Sequence, residues 1–245
     1  LAFVLVQVRY FFGGAALVRV VPGLTYAEYA RSGFFQLAVV AALVLPLLLV
    51  ADGLLKNQAV ATAGHRRRFR VLEGVLVALL FVIMGSAAQR LRLYVSAYGL
   101  TELRFYVTAI MAWLAVVFIW FVATVLRGRR AWFAVGALAA AFLTVVILHA
   151  INPDVFIVSI NAARLRSGRG LDIEYATSLS ADALPVLLDT AEALSGGGRC
   201  LVASRIVERW GHLRERDWRT WNWSREQARQ AFLGHETLLR TMQCR

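Results

Sequence analysis

Residues Val71 to Ala88 read VLEGVLVALLFVIMGSAA, an apolar run in which Glu73 is the only charged residue. A helix needs about 20 apolar residues to cross the roughly 30 Å of hydrocarbon in a bilayer, and it satisfies its own backbone groups there. The run therefore predicts a membrane-spanning helix. Hydrophobic residues make up 59% of the chain and the mean hydropathy is +0.61, which favours a bilayer over water as the solvent.

Similar apolar runs occur on both sides of this one. The other predicted spans cover Phe34 to about Leu55, Phe105 to Leu126 and Ala131 to about Ile151, and residues 1–12 are interpreted as the end of another span. The chain begins at Leu1 without a methionine, so we expect its natural start to lie upstream. The predicted fold is all-α: a transmembrane helix bundle of about five spans over residues 1–151, followed by a small extramembrane helical domain over residues 152–245.

The distribution of charge predicts the orientation of this bundle. Short loops rich in lysine and arginine stay on the cytoplasmic side. Two segments qualify, residues 56–70 and residues 127–130, and they alternate with predicted loops over residues 14–33 and 89–104. We therefore predict a multi-pass protein of the bacterial cytoplasmic (inner) membrane, with the C-terminal domain outside the cytoplasm.

The net charge of +12 is concentrated in the spanning half of the chain. A basic balance can indicate a nucleic-acid partner, but here its distribution is that of membrane topology. The sequence therefore predicts no nucleic-acid partner. The lipid bilayer and protein partners in a membrane complex are the partners that we expect.

Both cysteines, Cys200 and Cys244, fall in the C-terminal domain. An extracytoplasmic location is oxidising and therefore permits a disulfide. The domain is interpreted as helices over residues 181–195, 199–212 and 225–243, and antiparallel packing of the last two would place Cys200 beside Cys244. A bridge would stabilise the domain by roughly 4 kcal/mol on the chain-entropy model; the alternative is two unrelated small buried residues.

Four short blocks are more distinctive than the apolar runs. They are Tyr26–Leu37 (YAEYARSGFFQL), Tyr98–Arg104 (YGLTELR), Asn152–Asp154 (NPD) and Leu179–Pro185 (LSADALP). Together they resemble the signature of a bacterial multi-spanning integral membrane family catalogued only as a domain of unknown function, over roughly residues 1–190. The resemblance implies further spans upstream of Leu1, no established activity and no catalytic residues to carry over.

Under the predicted topology every block lies on the extracytoplasmic side, where charged side chains would gather. One interpretation is an interfacial lattice of ion pairs that fastens the loops to the C-terminal domain, with the acidic members Glu28, Glu102, Asp154, Asp172 and Asp182. The other is a site for an anionic lipid or a phosphate, because guanidinium groups suit phosphate oxygens. Its arginines would be Arg31, Arg92 and Arg104.

Two further groups of residues have a structural and a functional interpretation. Asp52 and Glu73 are ionisable groups at the ends of predicted spans, where they either neutralise the neighbouring basic loop or allow the passage of protons or ions. Four tryptophans near the last helix favour a packed aromatic clasp, with membrane-interface anchoring or stacking on a sugar or a partner protein as alternatives. They are Trp210, Trp218, Trp221 and Trp223.

No motif of an established chemistry occurs in the sequence: it has no glycine-rich phosphate loop, no histidine pair at metal spacing, no nucleophile elbow and no CxxC. We predict no catalytic residue, no metal site and no cofactor. The favoured function is a non-enzymatic scaffold or accessory subunit of a larger membrane or envelope complex. One alternative is a transferase acting on a lipid-linked substrate at the outer surface, with Asp154, Asp172 or Asp182 as base, and another is the membrane part of an envelope sensor.

Overall fold

The computed structural model describes residues 39–40, 43–54, 63–214 and 221–242, and its regular secondary structure is helical, with no strand in those ranges. This confirms the all-α prediction. The predicted span at residues 1–12 and the block Tyr26–Leu37 lie outside the described residues, as do Glu28, Arg31, Trp218 and Cys244.

Three described helices are long and apolar enough to cross a membrane: α2 over Ala63–Tyr98, α3 over Glu102–Thr124 and α4 over Ala131–Ile151. A shorter apolar helix precedes them, α1 over Leu43–Leu54. The apolar composition of these helices identifies a membrane protein. The predicted limits of α4 are correct, and those of α3 differ by two or three residues at each end.

The predicted loop over residues 89–104 is wrong for most of its length, because α2 continues to Tyr98. Polar residues there, among them Arg90 and Arg92, reduce the apolar signal without lowering helix propensity. The helix ends where the backbone of Gly99 takes a φ of 87°, a conformation that glycine adopts without a steric penalty. Since α2 also includes residues 63–70, the loop predicted over residues 56–70 is helical in its described half.

The chain divides into two compact units, one containing Leu103–Ile147 and the residues up to Tyr98, the other containing Gly99–Glu102 and Leu148–Arg245. The first unit has an apolar core in which Phe121 and Phe133 pack edge to face, with ring centroids 5.7 Å apart. The core brings together residues of α1, α2, α3 and the start of α4: Leu48, Val77, Leu80, Val117, Phe118, Phe121, Val125 and Phe133.

The second unit is built from short helices: α5 over Pro153–Arg166, α6 over Ile173–Ser178, α7 over Leu184–Ala193, α8 over Gly196–Trp210, α9 over Trp223–Gly234 and α10 over Glu236–Met242. Single turns of 3-10 helix at Ala181–Ala183 and Gly211–Arg214 connect them. The last predicted helix is therefore two helices, which meet at His235. The α8 helix packs against α6, α7 and α10, and α9 packs against α7.

Candidate functional site

In the second unit, one asparagine holds the segment that follows α2. The Asn161 side chain on α5 donates from Nδ2 to the Leu100 carbonyl and accepts at Oδ1 from the Leu100 amide, both at 2.8 Å. Asn161 and Leu100 are each 8% exposed, so water does not compete with these bonds. The side-chain amide thus donates to and accepts from one residue, as a backbone segment does when it pairs with another. The two bonds join residues that lie 61 positions apart in the chain.

A tyrosine makes the second attachment to the same segment. The Tyr175 hydroxyl accepts a hydrogen bond from the Glu102 amide at 2.7 Å, which satisfies one of the N–H groups that the first turn of α3 leaves without a partner. Tyr175 is itself positioned by Asp172, whose Oδ1 caps α6 by accepting from the Tyr175 amide at 3.0 Å. The Asp172 carboxylate therefore acts as a helix cap.

A third attachment joins the NPD block to the LSADALP block. Asp154 Oδ2 accepts from the Ser180 amide at 3.0 Å. Arg209 on α8 donates to the Ser178 carbonyl at 2.6 Å, so the chain between α6 and α7 is held from two sides. Three of the four sequence blocks thus contribute residues to one connected region of the second unit. We call this region the junction and define it by seven residues: Leu100, Glu102, Asp154, Asn161, Asp172, Tyr175 and Ser180.

The junction accounts for some of the predicted acidic residues. Asp154 and Asp172 accept hydrogen bonds from backbone amides, and Glu102 takes part through its own amide while its side chain is exposed. Asp182 lies half-buried in the 3-10 turn before α7. The ion-pair lattice predicted for these residues stays a prediction.

The arginines of the predicted anion site have different surroundings. The Arg104 guanidinium lies over the Tyr94 ring, 3.9 Å from its centroid, in a cation–π contact. Arg92 is exposed on α2, two residues from Tyr94, a spacing at which side chains on one helix do not face each other. The site on these two residues and Arg31 stays a prediction.

Sequence reasoning missed Asn161, the residue that makes the most buried polar contact of the junction. Its signal is a single amide on the apolar face of α5, four residues after the buried Ile157 and next to the buried Ala162. A polar residue at such a position needs a partner, because an unsatisfied buried amide is costly. Only the fold could show that the partner is the backbone of Leu100.

The tryptophans divide into two groups. Trp210 is buried, whereas Trp221 and Trp223 are 58% and 69% exposed at the start of α9. Of the three described, Trp210 alone therefore fits the predicted packed clasp. The Asn222 side chain between the exposed pair accepts from the Arg225 amide at 2.7 Å, so the backbone that carries both indoles is fixed by the cap of α9.

A small polar cleft lies between α6 and α8, with a volume of about 310 Å³. Its lining combines two carboxylates, two guanidinium groups and two hydroxyls: Glu174, Glu208, Arg205, Arg209, Thr177 and Ser178. Arg205 pairs with Glu208 at 3.2 Å, and Arg209 is held by the Ser178 carbonyl. Three of its four charged side chains, Arg205, Glu208 and Arg209, therefore have partners within the wall. Within the described ranges, no three histidine, cysteine or acidic side chains come together as metal ligands.

We expect Asn161→Leu to destabilise the second unit by about 2 kcal/mol, because it leaves the buried Leu100 amide and carbonyl without partners. Hydrogen exchange in the full chain measures this effect, and the amides of residues 100–102 should exchange about 30-fold faster, as 1.4 kcal/mol is a factor of ten. Ser159→Ala, at an exposed position of α5, is the matched control and should leave these amides unchanged. Equal exchange in the two variants would contradict the role assigned to Asn161.

Comparison with known proteins agrees with the resemblance. A model of the family described as Domain of unknown function (DUF4153) matches residues 1–190. No curated protein and no solved structure matches the chain. The predicted resemblance to a family of unknown function is therefore confirmed, while the four signature blocks stay a prediction.

Proposed function

Since this chain belongs to the family Domain of unknown function (DUF4153), from which no activity can be transferred, we propose its function from the residues themselves. It is a non-enzymatic membrane module that serves as a scaffold or accessory subunit of a larger membrane or envelope complex. Its second unit is an extramembrane domain that contacts a protein partner.

One observation carries this proposal: two of the three candidate bases of a transferase, Asp154 and Asp172 but not Asp182, accept hydrogen bonds from backbone amides. A carboxylate that accepts one hydrogen bond keeps other lone pairs, but a general base must also lie within reach of the proton that it removes. These carboxylates instead hold α6 and the chain before α7 in place. These contacts favour a structural role over the alternative of a transferase that acts on a lipid-linked substrate.

The exposed tryptophans are the proposed contact surface. Tryptophan is enriched among the residues that dominate protein interfaces, and Trp221 and Trp223 are both more than half exposed. The capped start of α9 fixes their backbone. Docking would therefore immobilise few additional rotatable bonds and lose little conformational entropy. We call these two residues the tryptophan pair.

The proposed topology has about five spans in a bacterial inner membrane, with the C-terminal domain outside the cytoplasm. Contacts within the first unit support one part of it. A side chain added at Gly128, just after α3, would meet the Arg70 guanidinium of α2, and one added at Gly53, near the end of α1, would meet the Arg130 guanidinium. The basic segments around Arg70 and Arg130 therefore share one end of the first unit, as the charge rule expects for a cytoplasmic end.

Purification from native membranes tests the complex. We expect the full-length tagged chain, extracted in mild detergent, to recover a partner protein in a fixed ratio. Replacing both members of the tryptophan pair by serine should lower that ratio at least about 30-fold, since one such residue alone typically contributes about 2 kcal/mol or more at an interface. The amount of the chain itself should not change.

Two control variants make the result specific. Leu233→Ala removes another exposed apolar side chain from α9 and should keep the partner. Asp154→Asn keeps an oxygen that can accept from the Ser180 amide and removes the basicity that a transferase would need, so it should keep the partner too. A wild-type chain that migrates without a partner contradicts the proposed complex. A partner that the double serine variant retains contradicts the proposed contact surface.

A further inference from the structure

Glu73 is the most deeply buried carboxylate in the described part of the first unit. It lies on α2, within the apolar segment that is long enough to cross a membrane, and it is 1% exposed. Neither of its carboxylate oxygens has a hydrogen-bond partner among the described residues. An ionised carboxylate in such surroundings is strongly destabilised unless a positive charge compensates it.

A second carboxylate lies close to Glu73. Asp52 on α1 and Arg70 on α2 are the charged residues that act electrostatically on Glu73, and the Oδ2 atom of Asp52 is also enclosed. The buried Leu48 and Val77 of the first core lie four residues from Asp52 and Glu73 respectively, on the same helix faces. The two carboxylates therefore lie at one end of that core, Asp52 on α1 and Glu73 on α2.

The surrounding arginines do not complete the pairing of Glu73. Arg70 is exposed and gives no hydrogen bond to Glu73, so solvent screens its charge. The Arg130 guanidinium lies against Gly53, beside Asp52. Four further arginines at this end are exposed to solvent: Arg67 and Arg68 on α2, and Arg127 and Arg129 after α3.

We propose that Asp52 and Glu73 form a binding site for one small monovalent cation, either a proton or an alkali metal ion. One positive charge between the buried Glu73 carboxylate and the half-buried Asp52 carboxylate reduces the repulsion between them. The described residues provide no third histidine, cysteine or acidic side chain for a polyvalent metal ion, so a single charge suits the site. Occupancy would couple the packing of α1 on α2 to pH or salt, a property beyond the proposed role as a subunit.

The melting temperature of the full chain in lipid nanodiscs tests the site and identifies the cation. If the cation is a proton, the folded state holds a proton that the unfolded chain releases, so stability falls as pH rises. We then expect the midpoint to fall by about 3 °C between pH 6 and pH 8 in choline chloride. If it is an alkali ion, replacing choline by lithium, sodium or potassium chloride at constant ionic strength should raise the midpoint by about 3 °C for the ion that binds.

Glu73→Gln should abolish whichever dependence the wild type shows, because an amide neither ionises nor carries the negative charge that the proposed cation compensates. Glu208→Gln is the matched control, since the Glu208 side chain is 70% exposed on α8, and it should keep the wild-type dependence. A wild-type midpoint that responds to neither pH nor alkali ions overturns the proposal. A Glu73→Gln variant that retains the wild-type dependence overturns it as well.

If Glu73→Gln does not fold, a measurement on the wild type tests the proposed site instead. A hydrophobic carbodiimide reacts with protonated carboxyl groups in apolar surroundings, and mass spectrometry locates the modified residue. We expect modification of Glu73 and none of Glu208, with high pH or the bound alkali ion suppressing it at least tenfold. Modification of Glu73 that does not exceed that of Glu208 overturns the proposal.

Discussion

Phe232→Ala is expected to destabilise the second unit by about 4 kcal/mol, because removing a buried aromatic ring loses its transfer free energy and leaves a cavity. Phe232 is fully buried on α9. This helix packs against α7, the 3-10 turn before α7 and the 3-10 turn after α8. The neighbouring Leu233 is 40% exposed. Leu233→Ala should therefore change the stability by no more than about 0.5 kcal/mol.

Hydrogen exchange is the appropriate measurement, because a chain with two compact units need not unfold in one step. In Phe232→Ala the amides of α7 and α9 should exchange by up to a thousandfold faster than in the wild type, since 1.4 kcal/mol is a factor of ten. Those of α3 in the first unit should stay unchanged. Similar acceleration in the Phe232 and Leu233 variants would show that Phe232 is not a centre of this core.

Loss of the bridge predicted between Cys200 and Cys244 is the second large expected effect. On the chain-entropy model a bridge across this loop stabilises the folded domain by roughly 4 kcal/mol. Cys200 lies on α8, which packs against α10, and α10 ends at Met242, two residues before Cys244. The described part of the chain contains no free cysteine, and Cys244 lies outside it.

Cys200→Ser, the double serine variant and the reduced wild type should all lose about the same stability. Proteolysis between the two cysteines, followed by electrophoresis without reductant, should leave the fragments of the wild type joined. A bridge formed in intact cells would also support the extracytoplasmic location, because cytoplasmic thiols are kept reduced. Alkylation of both thiols in the folded, unreduced protein would contradict the bridge.

Several elements of the fold could be predicted from the sequence because they depend on local composition. The apolar runs identify α2, α3 and α4 as candidate spans, and α4 occupies the predicted residues Ala131–Ile151. The apolar run places the end of α2 ten residues too early, since the last turns of α2 carry polar residues and remain helical up to Tyr98, before Gly99. Hydropathy marks where a helix can enter hydrocarbon, whereas a change in backbone conformation marks where the helix stops.

The candidate sites could be predicted only in part. Asp154, Asp172 and Tyr175 belong to stretches that the sequence singled out, but their function as acceptors for backbone amides follows from contacts across the second unit. Asn161 could not be predicted, since an isolated asparagine in a helix has no distinguishing pattern. Similarly, Trp210 and Trp221 lie in one aromatic window, yet one is buried and the other exposed.

The sequence by itself determined that this protein is all-helical, that it has apolar helices able to cross a membrane, and that it belongs to a family of unknown function. Each of these is a property of composition or of residue order along the chain. Only the tertiary structure decided that Leu100 pairs with Asn161 and that Glu73 is buried near Asp52. The physical reason is that burial and hydrogen bonding depend on which distant segments pack together, and hydropathy does not record that packing.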